Sequence, residues 1–354
     1  MKILYVVPNP ERIGGVSTSI KRITNYFQGK GLKIDVFCPD FEAKNKIPKS
    51  EIMMMKELLT GTMMQVQTQR VIERAESISP DLIVGYYGSS AAYSATAAGK
   101  FLNIPIIACF RGNDINRDFF SSFHSHKLEF VAKNASAITT VSSEMSKKLK
   151  AWMDVSSRFI PNSVDKSIFY NSKEEVSSFK EAFNLNHTPI VGLFGEFKAS
   201  RGLELLQNLE EDLKDKQVLM FGHVRTSIRK QIPPHIKVIP YIKDKSTLRV
   251  AYSACDVILQ PSKFDGMSNV VLEAMSCESI VVASNTGGLK DCINHGQNGF
   301  LCGTKKEWQQ ALRLALENKN SDMGVKARNS VPEVEQEGEK FMSLFNEVIN
   351  RTMS

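Results

Sequence analysis

The chain has 354 residues, of which 42% are hydrophobic and 23% charged, as in a globular protein too long for one core. Its formal charge of +7 lies in the first half: residues 1–168 hold 22 Lys and Arg against 15 Asp and Glu, and residues 169–354 hold 23 of each. The sequence has no apolar run of the roughly 20 residues that span a bilayer, and no dense basic run interleaved with aromatic residues. We therefore expect neither a membrane-spanning helix nor a nucleic-acid partner, whereas the basic first half suits an anionic acceptor or membrane surface, or is an ordinary solvated surface.

The start of the chain, MKILYVVPNP, is too short an apolar run for a signal peptide and predicts a buried strand. Six cysteines follow without any CxxC spacing, several of them inside apolar runs. This pattern favours reduced, buried thiols in a cytoplasmic protein, and it offers no compact ligand cluster for zinc.

Short apolar runs alternate with amphipathic runs along the whole chain. Strands are predicted in KILYVV, KIDVFCP, PDLIVGY, IPIIACF and SAITTVSS, and in the second half in PIVGLFG, KQVLMFG, HIKVIPY, CDVILQPS and SIVVAS. Helices are predicted in GGVSTSIKRITNYFQGKG, EMSKKLKAWM, RGLELLQNLEEDL and NVVLEAMSC, and from about Gly303 to the end. Continuous apolar strands between helices are typical of parallel sheets covered on both faces, so two Rossmann-like α/β domains are expected.

The turn-forming run IPNSVDKSIF, residues 160–169, is the expected link between the domains. This places an N-terminal domain at 1–165 and a C-terminal domain at 166–335. A final helix at about 336–354 carries an apolar face.

The loops after the strands are the candidate sites, because ligands of open parallel sheets bind beyond the carboxyl ends of the strands. Gly14 and Gly15 precede a helix whose N-terminal amides suit an anion, although a glycine-rich turn explains them too. In RGNDINRD, Arg111 is a candidate for holding a phosphate or the acceptor and Asp114 for a sugar hydroxyl; the alternative is a solvated loop.

Two loops of the second half carry further candidates. In EFKASRG, Lys198 and Arg201 suit a diphosphate, but Glu196 opposes this interpretation unless it binds a cation or turns away. Gly222 and His223, after KQVLMFG, are candidates for contacting a phosphate or base. The backbone near Tyr241 and Ile242 is a candidate for reading a nucleobase edge.

The run FDGMSNVVLEAM contains two carboxylates, Asp265 before a helix and Glu273 in its second turn, with Asn269 as the expected N-cap. An acid/base pair should flank one reacting bond, whereas this spacing suits a clamp on two hydroxyl-bearing groups. The amides of Gly266, Met267, Ser268 and Asn269 would face an anion or sugar between them. The alternative for Glu273 is a solvated helix residue.

Together these motifs resemble those of the retaining GT-B glycosyltransferases of family 4. The matching runs are GGVSTS, TTVSS, IPNSVD, FGEFKASRG, QPSKFDGMSNVVLEAM and ASNTGGLKDCINHGQNGF, in family order from about residue 14 to 301. The resemblance implies a sugar transferred with retained configuration from a nucleoside diphosphate, without a catalytic metal. It also implies a last helix that crosses back onto the first domain.

The resemblance also implies roles for individual residues. Glu273 would bind the ribose hydroxyls, Asp265 the donor sugar, and the amides of residues 266–269 sugar and phosphate. Gly15 would lie near the donor diphosphate, which Arg201 would bind.

Three positions depart from the family pattern. Asp265 stands where glutamate is usual, Glu196 where arginine is usual, and Arg111 where histidine is frequent. Lys198 would then supply the charge missing at residue 196, and Asp265 would adapt the site to a different sugar.

The expected partners are a nucleotide sugar, with UDP favoured, and a glycan or lipid-linked acceptor of surface polysaccharide or glycoconjugate synthesis. The family resemblance and the basic first half favour a cytoplasmic protein associated with the inner face of an anionic membrane. The Met-rich run at 51–75 would add an apolar face for a lipid carrier, and its alternative is a core-facing helix pair. Other readings are a nucleotide-binding partner subunit without transfer activity, a GDP-mannose-type transferase, and an epimerase or phosphorylase on the same fold.

Overall fold

The computed structural model describes residues 1–8, 14–40, 49–185, 188–197, 202, 204–230, 232–318 and 321–353, with side chains of the helix that starts at Lys49 from residue 63 onward. The chain forms two compact units: unit 1 is Met1–Pro161 with Val334–Ser354, and unit 2 is Asn162–Glu333. The boundaries expected from the sequence, at 165 and 335, lie within a few residues of these. No helix in the described part of the chain is both long and apolar enough to cross a membrane.

Unit 1 is a parallel sheet with helices on both faces. Its strands are β1 (Lys2–Val6), β2 (Lys33–Phe37), β3 (Leu82–Tyr86), β4 (Ile106–Phe110), β5 (Ala137–Thr140) and β6 (Arg158–Phe159). They lie in the order β2-β1-β3-β4-β5-β6. The helices are α1 (Gly15–Gly29), α2 (Lys49–Ile78), α3 (Ala91–Leu102), α4 (Asn113–Asn116), α5 (Ser125–Asn134) and α6 (Ser143–Met153), with a 3-10 turn at Asp118–Phe120.

The last helix of the chain belongs to unit 1. Its apolar face, with Phe341, Leu344, Phe345 and Val348, is buried in the core formed by α1 and the central strands. The ring of Phe345 lies 5.2 Å from that of Phe27 on α1. The chain therefore returns to its first unit after completing the second, as the family resemblance implied.

Unit 2 repeats the architecture with a second parallel sheet. Its strands are β7 (Ile190–Phe197), β8 (Gln217–Val224), β9 (Lys237–Ile239), β10 (Val257–Gln260), β11 (Ile280–Ser284) and β12 (Phe300–Cys302). The helices are α7 (Lys173–Ala182), α8 (Glu204–Asn208), α9 (Glu210–Leu213), α10 (Thr226–Arg229), α11 (Lys245–Ala254), α12 (Asn269–Ser276), α13 (Leu289–Cys292), α14 (Lys305–Glu317) and α15 (Met323–Ser330), and α16 (Val334–Met353) completes unit 1.

The strand order of unit 2, β12-β11-β10-β7-β8-β9, is that of a dinucleotide-binding sheet. The order reverses between β7 and β10, so the chain leaves these two strands towards opposite sides and a crevice opens at their carboxyl ends. The predicted α/β class with two parallel sheets is confirmed. Among the strands, the sequence prediction missed the edge strands β6 and β12, two and three residues long, which have no alternation to detect. Among the longer helices, it made no prediction for α3, α5, α7 and α11.

Candidate functional site

Residues 261–268, which we call the acidic loop, follow β10 at the reversal point of unit 2. A Cβ atom added to Gly202, in the loop after β7, would lie 2.2 Å from the Pro261 carbonyl oxygen, and Gly202 has a φ of +62°. Only glycine allows this approach, because any other side chain would collide with backbone. The loops after β7 and β10 therefore meet at the crevice where this sheet type binds ligands.

A second pair of glycines supports the acidic loop from the side of β11. A Cβ atom added to Gly287 would lie 1.8 Å from the Asp265 carbonyl oxygen, and one added to Gly288 would lie 2.0 Å from the Gly266 carbonyl oxygen. The amide of Gly288 also donates to the Asp265 carbonyl at 3.4 Å. The GG run of the sequence thus lets two loops pack backbone to backbone, which fixes the path of the acidic loop.

Asn162, the first residue of unit 2, holds the end of the acidic loop. Its side-chain amide is buried and donates to the Met267 carbonyl at 3.1 Å and to Asn269 Oδ1 at 3.2 Å. The run IPNSVD, expected from the sequence to be a link, therefore also positions the loop. Its role could not be found from spacing, because residues 162 and 267 are far apart in the chain.

Helix α12 begins with a different cap from the expected one. Ser268, not Asn269, is the N-cap: its Oγ accepts from the Val271 amide at 3.5 Å, and Asn269 is the first helical residue. The side chain of Asn269 meets Asn162, which explains why serine takes over the capping role. The partial positive charge of the helix N-terminus consequently lies directly after the acidic loop, where it favours an anion.

Asp265 lies in this loop with an intermediate exposure, and the hydroxyl of Ser262 is 3.4 Å from its Oδ2. The residues predicted to surround it, Gly266, Met267 and Ser268, are buried. Asp265 is thus the partly exposed carboxylate of a loop whose backbone is fixed on both sides.

Glu273 is not a solvated helix residue. Its side chain is partly buried, and Oε2 accepts a hydrogen bond from the hydroxyl of Tyr252 on α11 at 2.9 Å. Burial and then the Glu273 carboxylate raise the pKa of Tyr252 well above its ordinary value, so the phenol remains a donor at neutral pH. Sequence reasoning missed Tyr252, because the 21-residue separation gives no periodic signal.

Tyr241 belongs to the same neighbourhood as Glu273. Burial first, and then the charge of Glu273, raise the pKa of the Tyr241 phenol, although 45% of the residue is exposed. Ile242 beside it is partly buried. The structure therefore brings Tyr241 close to one of the two predicted clamp residues.

Glu196 is paired with a cation, and such pairing is one of the two conditions under which it is compatible with a nearby diphosphate. At the end of β7 its carboxylate accepts from Arg225 Nε at 2.8 Å and Nη2 at 2.6 Å. Gly222 and the exposed His223 lie on β8, in register with Gly195 and Glu196. An added Cβ at Gly222 would lie 1.9 Å from the Gly195 carbonyl oxygen, so this glycine is also needed for packing. The predicted diphosphate residues Lys198 and Arg201 lie outside the described residues.

The predicted residues of unit 1 meet at the carboxyl ends of β1 and β4. Helix α1 begins at Gly15, with Gly14 as an N-cap that makes no side-chain cap bond. One helical turn later, Ser19 Oγ accepts from Arg111 Nη2 at 2.7 Å and from Arg22 Nη2 at 3.1 Å. Arg22 in turn pairs with Glu337 of α16 at 3.0 Å, and both side chains are nearly buried. The last helix thereby helps to position Arg111, a role that the sequence analysis did not foresee.

Arg111 itself is 9% exposed, and its guanidinium lies 5.2 Å from the centre of the Tyr86 ring. It is therefore a buried cation with hydrogen-bond and ring contacts, not part of a solvated loop.

Asp114 is enclosed by its own loop. Its carboxylate is fully buried and accepts from the amides of Arg111 at 2.8 Å, Gly112 at 2.7 Å and Ile115 at 3.2 Å. Burial raises its pKa, against the lowering effect of the amides of Arg111, Gly112 and Gly88, the last of which donates at 3.4 Å. This geometry favours a positioning role for Asp114 over the predicted contact to a sugar hydroxyl.

The arrangement in unit 2 can hold a polyhydroxylated anion, with carboxylates for hydroxyl groups and a helix N-terminus for negative charge. Among the described residues no group of three or more His, Cys, Asp or Glu side chains lies close enough together to hold a metal ion. Burial raises the pKa of Cys109 to about 11 and of Cys292 to about 12, so these thiols stay protonated at neutral pH.

Comparison with known proteins gives two family matches in chain order. The family described as Glycosyltransferase Family 4 matches residues 13–167, and that described as Glycosyl transferases group 1 matches residues 188–318. A Bacillus subtilis protein assigned to teichuronic acid biosynthesis, TuaC, is 21% identical over 338 residues, covering 89% of this chain and 80% of the relative. The GDP-mannose-dependent alpha-mannosyltransferase of Mycolicibacterium smegmatis is 21% identical, with 90% and 89% covered.

A solved structure shows the same fold. The Anabaena protein HepE in complex with UDP-glucose superposes with a TM-score of 0.77 at 17% identity, covering 98% of this chain and all of the other. At this identity the likeness establishes the fold and does not by itself assign a donor.

Proposed function

This chain belongs to glycosyltransferase family 4, and on that premise we propose that it transfers a sugar from a UDP-sugar to a glycan or lipid-linked acceptor with retained anomeric configuration. The GT-B fold and the glycosyltransferase class follow from the family. The donor, the stereochemistry and the acceptor form the proposal.

The observation that supports the donor site is the clamp in unit 2. Tyr252 holds Glu273 by a hydrogen bond of 2.9 Å, which fixes the orientation of the carboxylate that we propose for the ribose hydroxyls. Asp265 lies on a loop that Gly287 and Asn162 fix from two sides, and this support favours it as the residue that binds hydroxyls of the donor sugar. Preorganised groups of this kind bind without losing further conformational freedom.

In the proposed reaction the bond between the anomeric carbon and the diphosphate oxygen breaks, and an acceptor oxygen bonds to that carbon from the same face. The diphosphate leaves with the bonding electron pair and takes the acceptor proton, so no protein nucleophile or metal is required. The N-terminus of α12 and the cations proposed for this role, Lys198 and Arg201, would stabilise the developing charge. Asp265 orients the sugar.

UDP is favoured as the nucleotide because HepE, which shares the fold over nearly the whole chain, holds UDP-glucose. GDP-mannose is the second candidate, since the mycobacterial relative uses it. Tyr241, exposed and close to Glu273, is the proposed neighbour of the base.

The proposed process is polysaccharide or glycoconjugate synthesis, in keeping with the assignment of TuaC to teichuronic acid. The basic first half supports an anionic acceptor at the cytoplasmic face of a membrane. A nucleotide-binding partner subunit is the competing function, and it is motivated by the three departures from the family pattern, Glu196, Arg111 and Asp265.

A thermal-shift panel of UDP-, GDP-, ADP- and dTDP-sugars tests the donor site, because a ligand that binds the folded state raises the melting temperature. We expect one of these nucleotides to raise the melting temperature of the wild type. Glu273→Ala should reduce the shift for every nucleotide that carries the same ribose. Glu181→Ala, at an exposed glutamate on α7, is the matched control and should behave as wild type. If no nucleotide shifts the melting temperature, or both variants respond alike, the donor-site assignment is wrong.

Transfer is tested separately with the donor that binds. NMR of the released or transferred sugar should show the anomeric configuration of the donor, and Asp265→Glu should change the preference among donor sugars more than the affinity for free UDP. Nucleotide binding without hydrolysis or transfer to any acceptor would favour the partner-subunit alternative.

A further inference from the structure

A hydrogen-bonded chain of four side chains, which we call the arginine relay, joins the last helix to Arg111. Glu337, in the first turn of α16, accepts from Arg22 Nη2 through Oε2 at 3.0 Å. Arg22 Nη2 also donates to Ser19 Oγ at 3.1 Å, and Arg111 Nη2 donates to the same oxygen at 2.7 Å. Because Ser19 Oγ accepts from both guanidinium groups, the orientation of Arg111 is tied to the ion pair behind it.

The relay is shielded from water. Ser19 and Glu337 are at most 1% exposed, Arg111 is 9% exposed, and the side chain of Arg22 is 11% exposed. The Arg111 guanidinium lies 5.2 Å from the ring centre of Tyr86, which belongs to the apolar core of unit 1. Hydrogen bonds are stronger in such a low-dielectric environment. The relay therefore fixes Arg111 more firmly than the same bonds would at the surface.

A glycine beside Glu337 brings the two helices of the relay together. A Cβ atom added to Gly338 would lie 2.1 Å from Cε1 of Tyr26 on α1. Glycine weakens a helix interior relative to alanine, so its place in the second turn of α16 is explained by this close approach. The contact of α16 with α1 in turn lets the carboxylate of Glu337 reach Arg22.

Stability does not explain the relay. A buried ion pair is often no more stabilising than apolar side chains of similar volume, because both charges lose their hydration. Arg22 Nε and the Tyr86 hydroxyl are also buried, and neither has a hydrogen-bond partner in the part of the chain that the structure describes. Leaving such donors unsatisfied costs free energy. The benefit of the relay therefore lies in its effect on Arg111.

Arg111 directly follows β4, at the edge of the unit 1 sheet where ligands of parallel sheets bind. We propose that Glu337, Arg22 and Ser19 are positioning residues for sugar transfer, which hold the Arg111 guanidinium in the orientation that binds the acceptor. Glu337 acts through Arg22 and Ser19 and does not touch the substrate. This inference rests on the proposed function, because an effect of orientation on turnover requires that the chain transfers a sugar.

The test replaces the ion pair by apolar side chains of similar size. Arg22→Met with Glu337→Met, the relay variant, leaves neither charge of the pair buried without its counter-charge. Its melting temperature should therefore equal or exceed that of the wild type. Arg158→Met with Glu347→Met is the matched control, because Arg158 on β6 pairs with Glu347 of the same helix at 2.5 Å.

The first measurement is independent of activity. Phenylglyoxal modifies arginine side chains, and mass spectrometry of peptides from the treated full chain gives the rate at Arg111. With about one hydrogen bond less to hold its guanidinium, Arg111 should react roughly two- to twelvefold faster in the relay variant than in the wild type or the control. Ser19→Ala should also raise the rate, and adding it to the relay variant should give no faster reaction than Ser19→Ala alone, because both changes act on one contact.

The second measurement separates transfer from donor binding. Transfer from UDP-glucose to a polyprenyl diphosphate-linked sugar should fall roughly two- to twelvefold in the relay variant, for the same reason. Hydrolysis of UDP-glucose and the UDP-induced thermal shift should stay as in the wild type, since hydrolysis needs no acceptor and the residues proposed for UDP belong to unit 2. The control should match the wild type in all three.

Two results would overturn the proposal: Arg111 reacts equally fast in the relay variant and the control, or the relay variant transfers the sugar as fast as the wild type. A melting temperature that falls without a change at Arg111 belongs to the first case and would make the ion pair purely structural. If Arg111 reacts faster but the wild type neither binds UDP nor transfers the sugar, the relay does orient Arg111 and the proposed function is wrong.

Discussion

Replacing Tyr252 by phenylalanine removes one hydroxyl group and leaves the shape of the unit 2 core almost unchanged. The residue is 1% exposed, and its hydroxyl donates to Glu273 at 2.9 Å. A hydrogen bond to a charged group contributes about 1.5–3 kcal/mol, and we expect the lower end because the partly exposed Glu273 regains some water. For a unit of this size, a loss of about 1.5 kcal/mol lowers the melting temperature by roughly 3–6 °C.

The same substitution should weaken nucleotide binding. Without the hydroxyl, the ligand must order the Glu273 carboxylate when it binds. We therefore expect a loss of binding free energy equal to that of a neutral hydrogen bond, about 0.5–1.5 kcal/mol, which raises Kd roughly two- to twelvefold. Calorimetric titration with UDP measures it. The loss should be similar for every nucleotide that shares the ribose.

Tyr5→Phe is the matched control. Tyr5 is also fully buried, but its hydroxyl has no hydrogen-bond partner among the described residues, so removing it should leave the stability unchanged or raise it. If Tyr252→Phe has the same melting temperature as Tyr5→Phe and binds UDP with the affinity of the wild type, Tyr252 does not orient Glu273.

The pH dependence of stability gives an independent measurement. Burial raises the pKa of Tyr252 well above its ordinary value, so above about pH 10 the unfolded chain releases a proton that the folded chain retains. The free energy of unfolding should therefore fall as pH rises past 10, by up to about 1.4 kcal/mol per pH unit for each such tyrosine. In Tyr252→Phe, one proton fewer should be released on unfolding, so the free energy of unfolding should fall less steeply with pH. Urea unfolding between pH 9 and 11 measures this slope.

The remaining predictions concern the loops of unit 2. Gly287→Ala should destabilise unit 2 and abolish nucleotide binding, because its Cβ would meet a backbone carbonyl at 1.8 Å; Gly296→Ala, also at positive φ but in open space, should cost only about 1 kcal/mol, and equal melting of the two would contradict the clash. Asn162→Asp, which keeps the size but not the donor, should lower the melting temperature and the UDP affinity as much as Asn162→Ala does; wild-type behaviour in calorimetry would show that the brace is dispensable. Glu196→Gln should release Arg225 and raise the affinity for pyrophosphate, measured by titration at low salt. The rise should be up to about fivefold, because half-exposed ion pairs contribute at most about 1 kcal/mol. A fall in affinity would place Arg225 away from the diphosphate.

Most strand positions and several helix positions could be predicted because their signals are local. An apolar run such as IPIIACF is buried on both sides of a sheet, and only a parallel sheet with helices on both faces does this repeatedly. The apolar face of the last helix was also local information, although the sequence could not show by periodicity which core that face enters. The prediction of Asn269 as the N-cap of α12 was wrong because two polar residues, Ser268 and Asn269, compete for that position. The contact of Asn269 with Asn162 decides the outcome.

The sequence by itself determined the class of the fold, the family and the loop that carries Asp265, since each rests on residues close together in the chain. Only the tertiary structure decided how the charges are used: Glu273 is held by Tyr252, Glu196 by Arg225, and Asp114 by the amides of its own loop. The reason is physical, because the role of a carboxylate depends on the donors within about 3 Å of it, and folding brings those donors from distant parts of the chain or turns the local backbone towards it.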